Sequence, residues 1–227
     1  MASISSGTTD RRSKVAQARV TLAKTAVFAA SSIPLVWLFW QGLGLGGASL
    51  GANPVETVLH SLGTTALNLL LITLAVTPLR RLTGMNWLVR LRRMLGLFCF
   101  FYLSLHFLTY ALLDLQLAWG ELLVDIALRP YITVGMLAWL AMIPLAITST
   151  QKMQRRLGRN WIKLHRLIYP IAILGVVHFF WQAKADLFEP LLYAGMLSAL
   201  LAFRVYEWIG KTRRRGKPAA TAASQIS

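Results

Sequence analysis

Acidic residues are scarce in this chain: eight Asp and Glu stand against 24 Lys and Arg in 227 residues. Cysteine is scarcer still. Cys99 is alone, which excludes an internal disulfide and a thiolate metal cluster. No Gly-rich nucleotide-binding fingerprint occurs, and no link between apolar stretches exceeds about 16 residues, leaving no room for a soluble catalytic domain. Charged residues of both signs make up only 14%, whereas 56% of the chain is hydrophobic and the mean hydropathy is +0.56. Those values place it among membrane proteins.

Six apolar blocks, roughly 25–45, 58–79, 94–116, 131–149, 162–182 and 189–208, are long enough to cross a bilayer at about 1.5 Å per residue. The expected fold is therefore all-α: a polytopic integral membrane protein with a six-helix transmembrane bundle over 25–208. A segment 1–24, disordered at its start, precedes the bundle, and a basic tail 209–227 follows it. The first block resembles a signal-peptide core, but it is long, lacks a cleavage site and completes the charge pattern only if retained. The two halves show no obvious repeat.

The excess of cations points at first to nucleic acid, but their placement argues for a membrane. They fall before the first block, between blocks 2 and 3, between and into blocks 4 and 5, and around the end of block 6, so that all but Arg129 and Lys184 lie on one side. The positive-inside rule then puts both termini in the cytoplasm. Anionic lipid accounts for the charge without nucleic acid.

All four histidines, His60, His106, His165 and His178, lie in or at the edge of these blocks. Ionisable side chains inside a membrane are costly and mark function by default, with an interhelical hydrogen bond as the plainer alternative. Depth separates them. His106 sits about 18 Å from the basic side along its helix and His178 about 24 Å, so the two can meet in the half of the bilayer facing away from the cytoplasm. Two neutral imidazoles on neighbouring helices suit the axial positions of a haem b. A zinc site would want four ligands, and these blocks lack Cys, Asp or Glu partners nearby. His165 lies near the basic boundary, about 140° around an ideal helix from His178, a relation that Pro170 can alter. It is open whether it serves a second cofactor position; Arg92 and Arg93 stand where a partner histidine would be wanted. Arginine is a poor iron ligand but suits a propionate, a flavin phosphate or a lipid head group. His60, near the outer end of block 2, is an alternative partner for His178, a hydrogen-bonding group at an outer haem edge, or an interfacial residue.

Cys99 is more readily a small buried hydrophobe than a ligand. The aromatics Phe98, Phe100, Phe101, Tyr102, Phe107, Tyr110, Phe179, Phe180 and Trp181 could wall a porphyrin or pack the bundle. Glu56, Asp114, Glu121, Asp125, Asp186 and Glu189 gather at the outer boundary, as a docking rim for a soluble partner or as solvated loop surface.

The segments "NPVETVLHSLG", "LAVTPLRR", "RRMLGLFCFFYLSLHFLTYALLDL", "RPYITVGMLAWLAMIPLAITST" and "LGRNWIKLHRLIYPIAILGVVHFFW", in that order, resemble the haem-binding membrane subunits of bacterial periplasmic methionine-sulfoxide reductase systems. This is the MsrQ (YedZ) family of the ferric-reductase-like transmembrane group. The resemblance covers roughly residues 26–208 and implies a multi-pass electron-transfer subunit of the inner membrane carrying haem b and FMN. It implies electrons drawn from the quinone pool or a cytoplasmic flavin reductase and passed to a periplasmic molybdopterin-containing catalytic subunit, which performs the sulfoxide chemistry. The family's haem-associated histidines fall on His106, His165 and His178, with His60 at a further histidine position. Two other readings stand beside this one: a self-contained cytochrome b ferric reductase, and a non-redox proton or ion transporter. The latter is disfavoured because no Asp or Glu lies deep in a block apart from the marginal Asp114.

Overall fold

The computed structural model describes residues 4–183 and 186–215; Lys184, Lys217 and the end of the basic tail lie outside them. It is all-α, and six of its helical stretches are long and apolar enough to cross a membrane: Lys14–Gly42, Pro54–Thr83, Asn86–Asp114, Pro130–Ile147, Arg159–Gln182 and Phe188–Gly210. The six expected blocks are these six stretches.

Local chemistry sets their ends. Helix α1 (Ile4–Gly42) reaches well ahead of the first apolar block, into the segment that composition reads as lying outside the membrane. Helix α2 (Pro54–Thr83) starts where "NPVE" caps it. The Asn53 side chain accepts the Glu56 N–H at 3.3 Å and donates to the Glu56 carboxylate at 2.9 Å. Pro54 occupies the first position, where its missing N–H costs nothing. Gly84, at φ +72°, supplies the left-handed residue that ends the helix. Helix α3 (Arg92–Thr109) runs on into a π-helical turn at Tyr110–Asp114.

Helix α4 (Trp119–Leu128) was not anticipated. Its ten residues span about 15 Å, half a bilayer, so it serves as a link. It leads into α5 (Pro130–Ile147), and α6 (Gln151–Leu157) and α7 (Arg159–His165) follow on the basic side.

The fifth span is two helices, α7 and α8 (Ile168–Gln182). Pro170 has no N–H to return to the Arg166 carbonyl, which instead takes the Tyr169 N–H at 3.1 Å in a tighter turn. His165 closes α7 and His178 belongs to α8, so the continuous-helix relation expected between them does not hold.

Helix α9 (Phe188–Arg215) is pinned from the basic side. Pro78 inside α2 leaves the Leu74 carbonyl without its helical partner, and Arg204 of α9 donates to that oxygen at 3.1 Å and to the Tyr169 hydroxyl at 2.6 Å. Glu207 pairs with Arg81 of α2.

The most extensive helix contacts are α2 with α3 and α5 with α8. Both pairs are antiparallel, and some of their buried positions correspond at a 72-residue offset: Ala66 and Ala138, Leu70 and Met142, Cys99 and Ile171. Of these pairs only Ala66 and Ala138 are identical.

Candidate functional site

The four helices of these two pairs enclose a cavity of about 450 Å³ at the end of the bundle away from the basic links, a size that suits a small molecule or cofactor. Its walls include Leu67, Leu103, Phe107, Trp139 and Ile171, and its outer rim includes His60, Tyr110, Arg129, Tyr131 and Gln182.

His106 and His178 project into it from α3 and α8. Their ring centres are 6.2 Å apart. A metal held between two imidazoles, with metal–nitrogen bonds of about 2.0 Å on each side plus the distance from nitrogen to ring centre, gives roughly the same separation.

The far side of each ring is fixed in the same way. His106 Nδ1 lies 2.9 Å from the Leu59 carbonyl of α2, and His178 Nδ1 lies 2.7 Å from the Tyr131 carbonyl of α5; each histidine is 47 residues beyond its acceptor. A carbonyl only accepts, so both rings carry their proton on Nδ1 and leave the Nε2 lone pair free. This is the arrangement metal-ligating histidines adopt, with the second nitrogen bound to a carbonyl or carboxylate that sets tautomer and orientation.

The other two histidines are placed differently. His60 stands at the exposed rim, its Nε2 2.9 Å from the Gln182 amide nitrogen and 3.8 Å from Glu56. That nitrogen is occupied by a side chain of α8. His165 is at the opposite, basic end, stacked on Trp161 at 3.9 Å, with Nδ1 3.1 Å from the Trp161 carbonyl. The structure thus brings His106 and His178 together and leaves His60 and His165 apart from them. Cys99 lines the cavity floor, and its thiol donates to the Ala66 carbonyl at 3.3 Å.

Of the aromatics expected to wall a cofactor, Phe107, Tyr110, Phe179 and Trp181 do line the cavity, while Phe101 and Phe180 are exposed on the outside of the bundle. Trp139 was overlooked. It stacks on Phe107 at 4.4 Å and its indole donates to Ser104 at 3.2 Å, joining α5 to α3 along the cavity wall. At the rim, Tyr110 donates to Asp125 at 2.5 Å, and Asp125 pairs with Arg129 at 3.1 Å. The link helix is thereby tied to the mouth of the cavity.

Among the described residues no three His, Cys, Asp or Glu side chains come together as a metal site. An opposed pair of imidazoles suits an iron whose remaining ligands come from a macrocycle.

The family described as "Ferric reductase like transmembrane component" matches residues 62–176, from the first turns of α2 into α8. A protein named "Protein-methionine-sulfoxide reductase heme-binding subunit MsrQ" from Xanthomonas campestris pv. campestris (strain 8004) is 52% identical over 204 residues, covering 88% of this chain and 94% of its own length. The protein of that name from Xanthomonas oryzae pv. oryzae (strain MAFF 311018) is 51% identical over 209 residues, 89% and 96% of the two chains. That from Rhodospirillum rubrum is 50% identical over 200 residues, 88% and 94%. The chain belongs to the MsrQ family. No solved structure matches it.

As an MsrQ-family member with six apolar spans, it is a multi-pass protein of the bacterial inner membrane. The broader ferric-reductase match takes in α3 and α5 whole and stops just short of His178, whereas the MsrQ relatives extend over nearly the whole chain. Sequence reasoning for this MsrQ-family chain missed the two carbonyl acceptors and the tryptophan. The recurrence of "HF" at 106–107 and 178–179 is the one signal that could have led to them.

Proposed function

We propose that this chain is a haem b electron-transfer subunit in which His106 and His178 are the axial pair. Family membership supports the redox role, and the relatives' shared name adds haem binding and the link to methionine-sulfoxide reduction. The observation that carries the ligand assignment is the opposition of two imidazoles whose outer nitrogens are both committed to main-chain oxygens.

When bound, haem supplies reversible one-electron chemistry. The chain's residues do the rest. The Leu59 and Tyr131 carbonyls hold each ring in its tautomer and raise the donor strength of Nε2. Leu67, Leu103 and Ile171 keep the pocket apolar, and Arg129 places a cation at its mouth. The basic links face the cytoplasm, which puts this cavity toward the periplasm.

Electrons enter from quinol or from a cytoplasmic flavin reductase and leave to a periplasmic molybdenum-containing partner, which carries the sulfoxide chemistry. His165, at the basic end, serves the entry side, as a ligand of a second, inner haem or beside the route from the donor. FMN belongs to this reading through the family resemblance alone; no residue is assigned to it.

The test is a reduced-minus-oxidised spectrum and a pyridine-haemochrome assay on the purified chain. A haem b signature supports the proposal, and a colourless protein after expression with ample iron and porphyrin rejects it. Electron delivery to small ferric chelates without any partner would favour the self-contained reductase reading instead.

A further inference from the structure

Each of the two opposed rings lies against a glycine. A Cβ built on Gly63 of α2 would stand 3.2 Å from both Cε1 and Nδ1 of His106. One built on Gly135 of α5 would stand 2.8 Å from Nδ1 and 2.9 Å from Cε1 of His178. In both helices the glycine comes one turn after the residue whose carbonyl accepts from that same ring, Leu59 before Gly63 and Tyr131 before Gly135. The same 72-residue offset carries Leu59, Gly63 and His106 onto Tyr131, Gly135 and His178.

We infer that Gly63 and Gly135 are positioning residues for the two imidazoles: the bare backbone at each lets the ring close on the helix so that Nδ1 reaches the carbonyl one turn earlier. The reason is steric. A hydrogen bond of 2.7 or 2.9 Å to a helix carbonyl requires the ring to lie almost on the neighbouring helix surface. That carbonyl points along the helix toward the next turn, the level at which the glycine stands. Any side chain there occupies the volume the ring needs. At Gly135 the overlap is with ring atoms on a short side chain, which can yield only by rotating about χ1 and χ2, and rotation breaks the bond to Tyr131 and re-aims Nε2. At Gly63 the contact is looser, and a smaller displacement suffices.

The other glycines of the spans set the contrast. Gly96 and Gly195 would present a Cβ to nothing within 4 Å, and Gly175 only to a Leu67 methyl at 3.6 Å.

The function of this clearance rests on the haem reading proposed above, but its geometry does not, and the experiment separates the two. Gly135→Ala, Gly63→Ala and the controls Gly96→Ala and Gly195→Ala are made in the full chain, and Gly135→Ala is also made in a His178→Ala background. Alanine is the better helix former. With the ring gone, Gly135→Ala is therefore expected to leave the melting temperature in detergent unchanged or raise it, while with the ring present it lowers it. In the haem-loaded chain Gly135→Ala is expected to lose most of the bis-imidazole low-spin signal per folded molecule. Gly63→Ala shifts that signal while retaining haem, and the controls leave it in place. Equal drops in melting temperature with and without His178 would overturn the inference, as would an unaltered low-spin spectrum in folded Gly135→Ala. If the wild-type chain binds no haem and Gly135→Ala still lowers the melting temperature only when His178 is present, the haem reading falls and the clearance stands.

Discussion

The imidazole planes of His106 and His178 stand 84° to one another across the cavity. If the two rings hold a haem iron as proposed, axial ligand orientation governs the splitting of the iron orbitals, and near-perpendicular rings would give a highly anisotropic low-spin signal dominated by one low-field feature. Coplanar rings give three resolved features. Low-temperature electron paramagnetic resonance of the oxidised protein is expected to show the former, and a well-resolved rhombic spectrum would contradict this ring arrangement.

On the proposed haem assignment, removing one of the opposed imidazoles would leave the iron with a single protein ligand. His106→Ala and His178→Ala are each expected to lose most of the haem while remaining folded. His60→Ala, which deletes a rim contact to Gln182, is expected to keep it. Pyridine-haemochrome content per folded chain checks all three, and full retention in either of the first two variants defeats the axial assignment.

Arg204 answers for the carbonyl that Pro78 leaves over. Arg204→Ala would strip the Leu74 oxygen and the Tyr169 hydroxyl of their donor. A buried acceptor left without a partner costs about 1–3 kcal/mol. The expected outcome is a lower melting temperature in detergent with haem content unchanged, because these groups lie at the basic end, away from the cavity.

The charge distribution makes its own claim about topology. With nearly all cations on one side, a fluorescent protein fused to the C-terminus is expected to mature in the cytoplasm, and an alkaline phosphatase fused there to be inactive. Active phosphatase at that end would invert the orientation and put the His106–His178 cavity on the cytoplasmic side.

Much of this architecture is legible in the chain itself, because a bilayer imposes lengths of about 20 apolar residues that few other demands produce. The depth argument that pairs His106 with His178 works for the same reason: helical rise converts residue number into distance. The failures have equally physical causes. Helix α4 escapes because ten mostly apolar residues interrupted by Glu121 and Asp125 resemble a link. The break ahead of Ile168 depends on how the Arg166 carbonyl is satisfied, and Pro170 alone does not say whether a helix kinks or restarts. Gly63 and Gly135 carry no signal by themselves, since glycine is common in membrane helices; only the ring each one faces gives it meaning.

Leu59 and Tyr131 hold the imidazoles through oxygens of the polypeptide backbone rather than through carboxylates. Such acceptors neither titrate nor vanish when a codon changes, so the hydrogen-bond partner of each Nδ1 is insulated from acidity and from most point mutation. Inheritance can loosen the grip on these rings only indirectly, by bending a helix or by filling the space beside it.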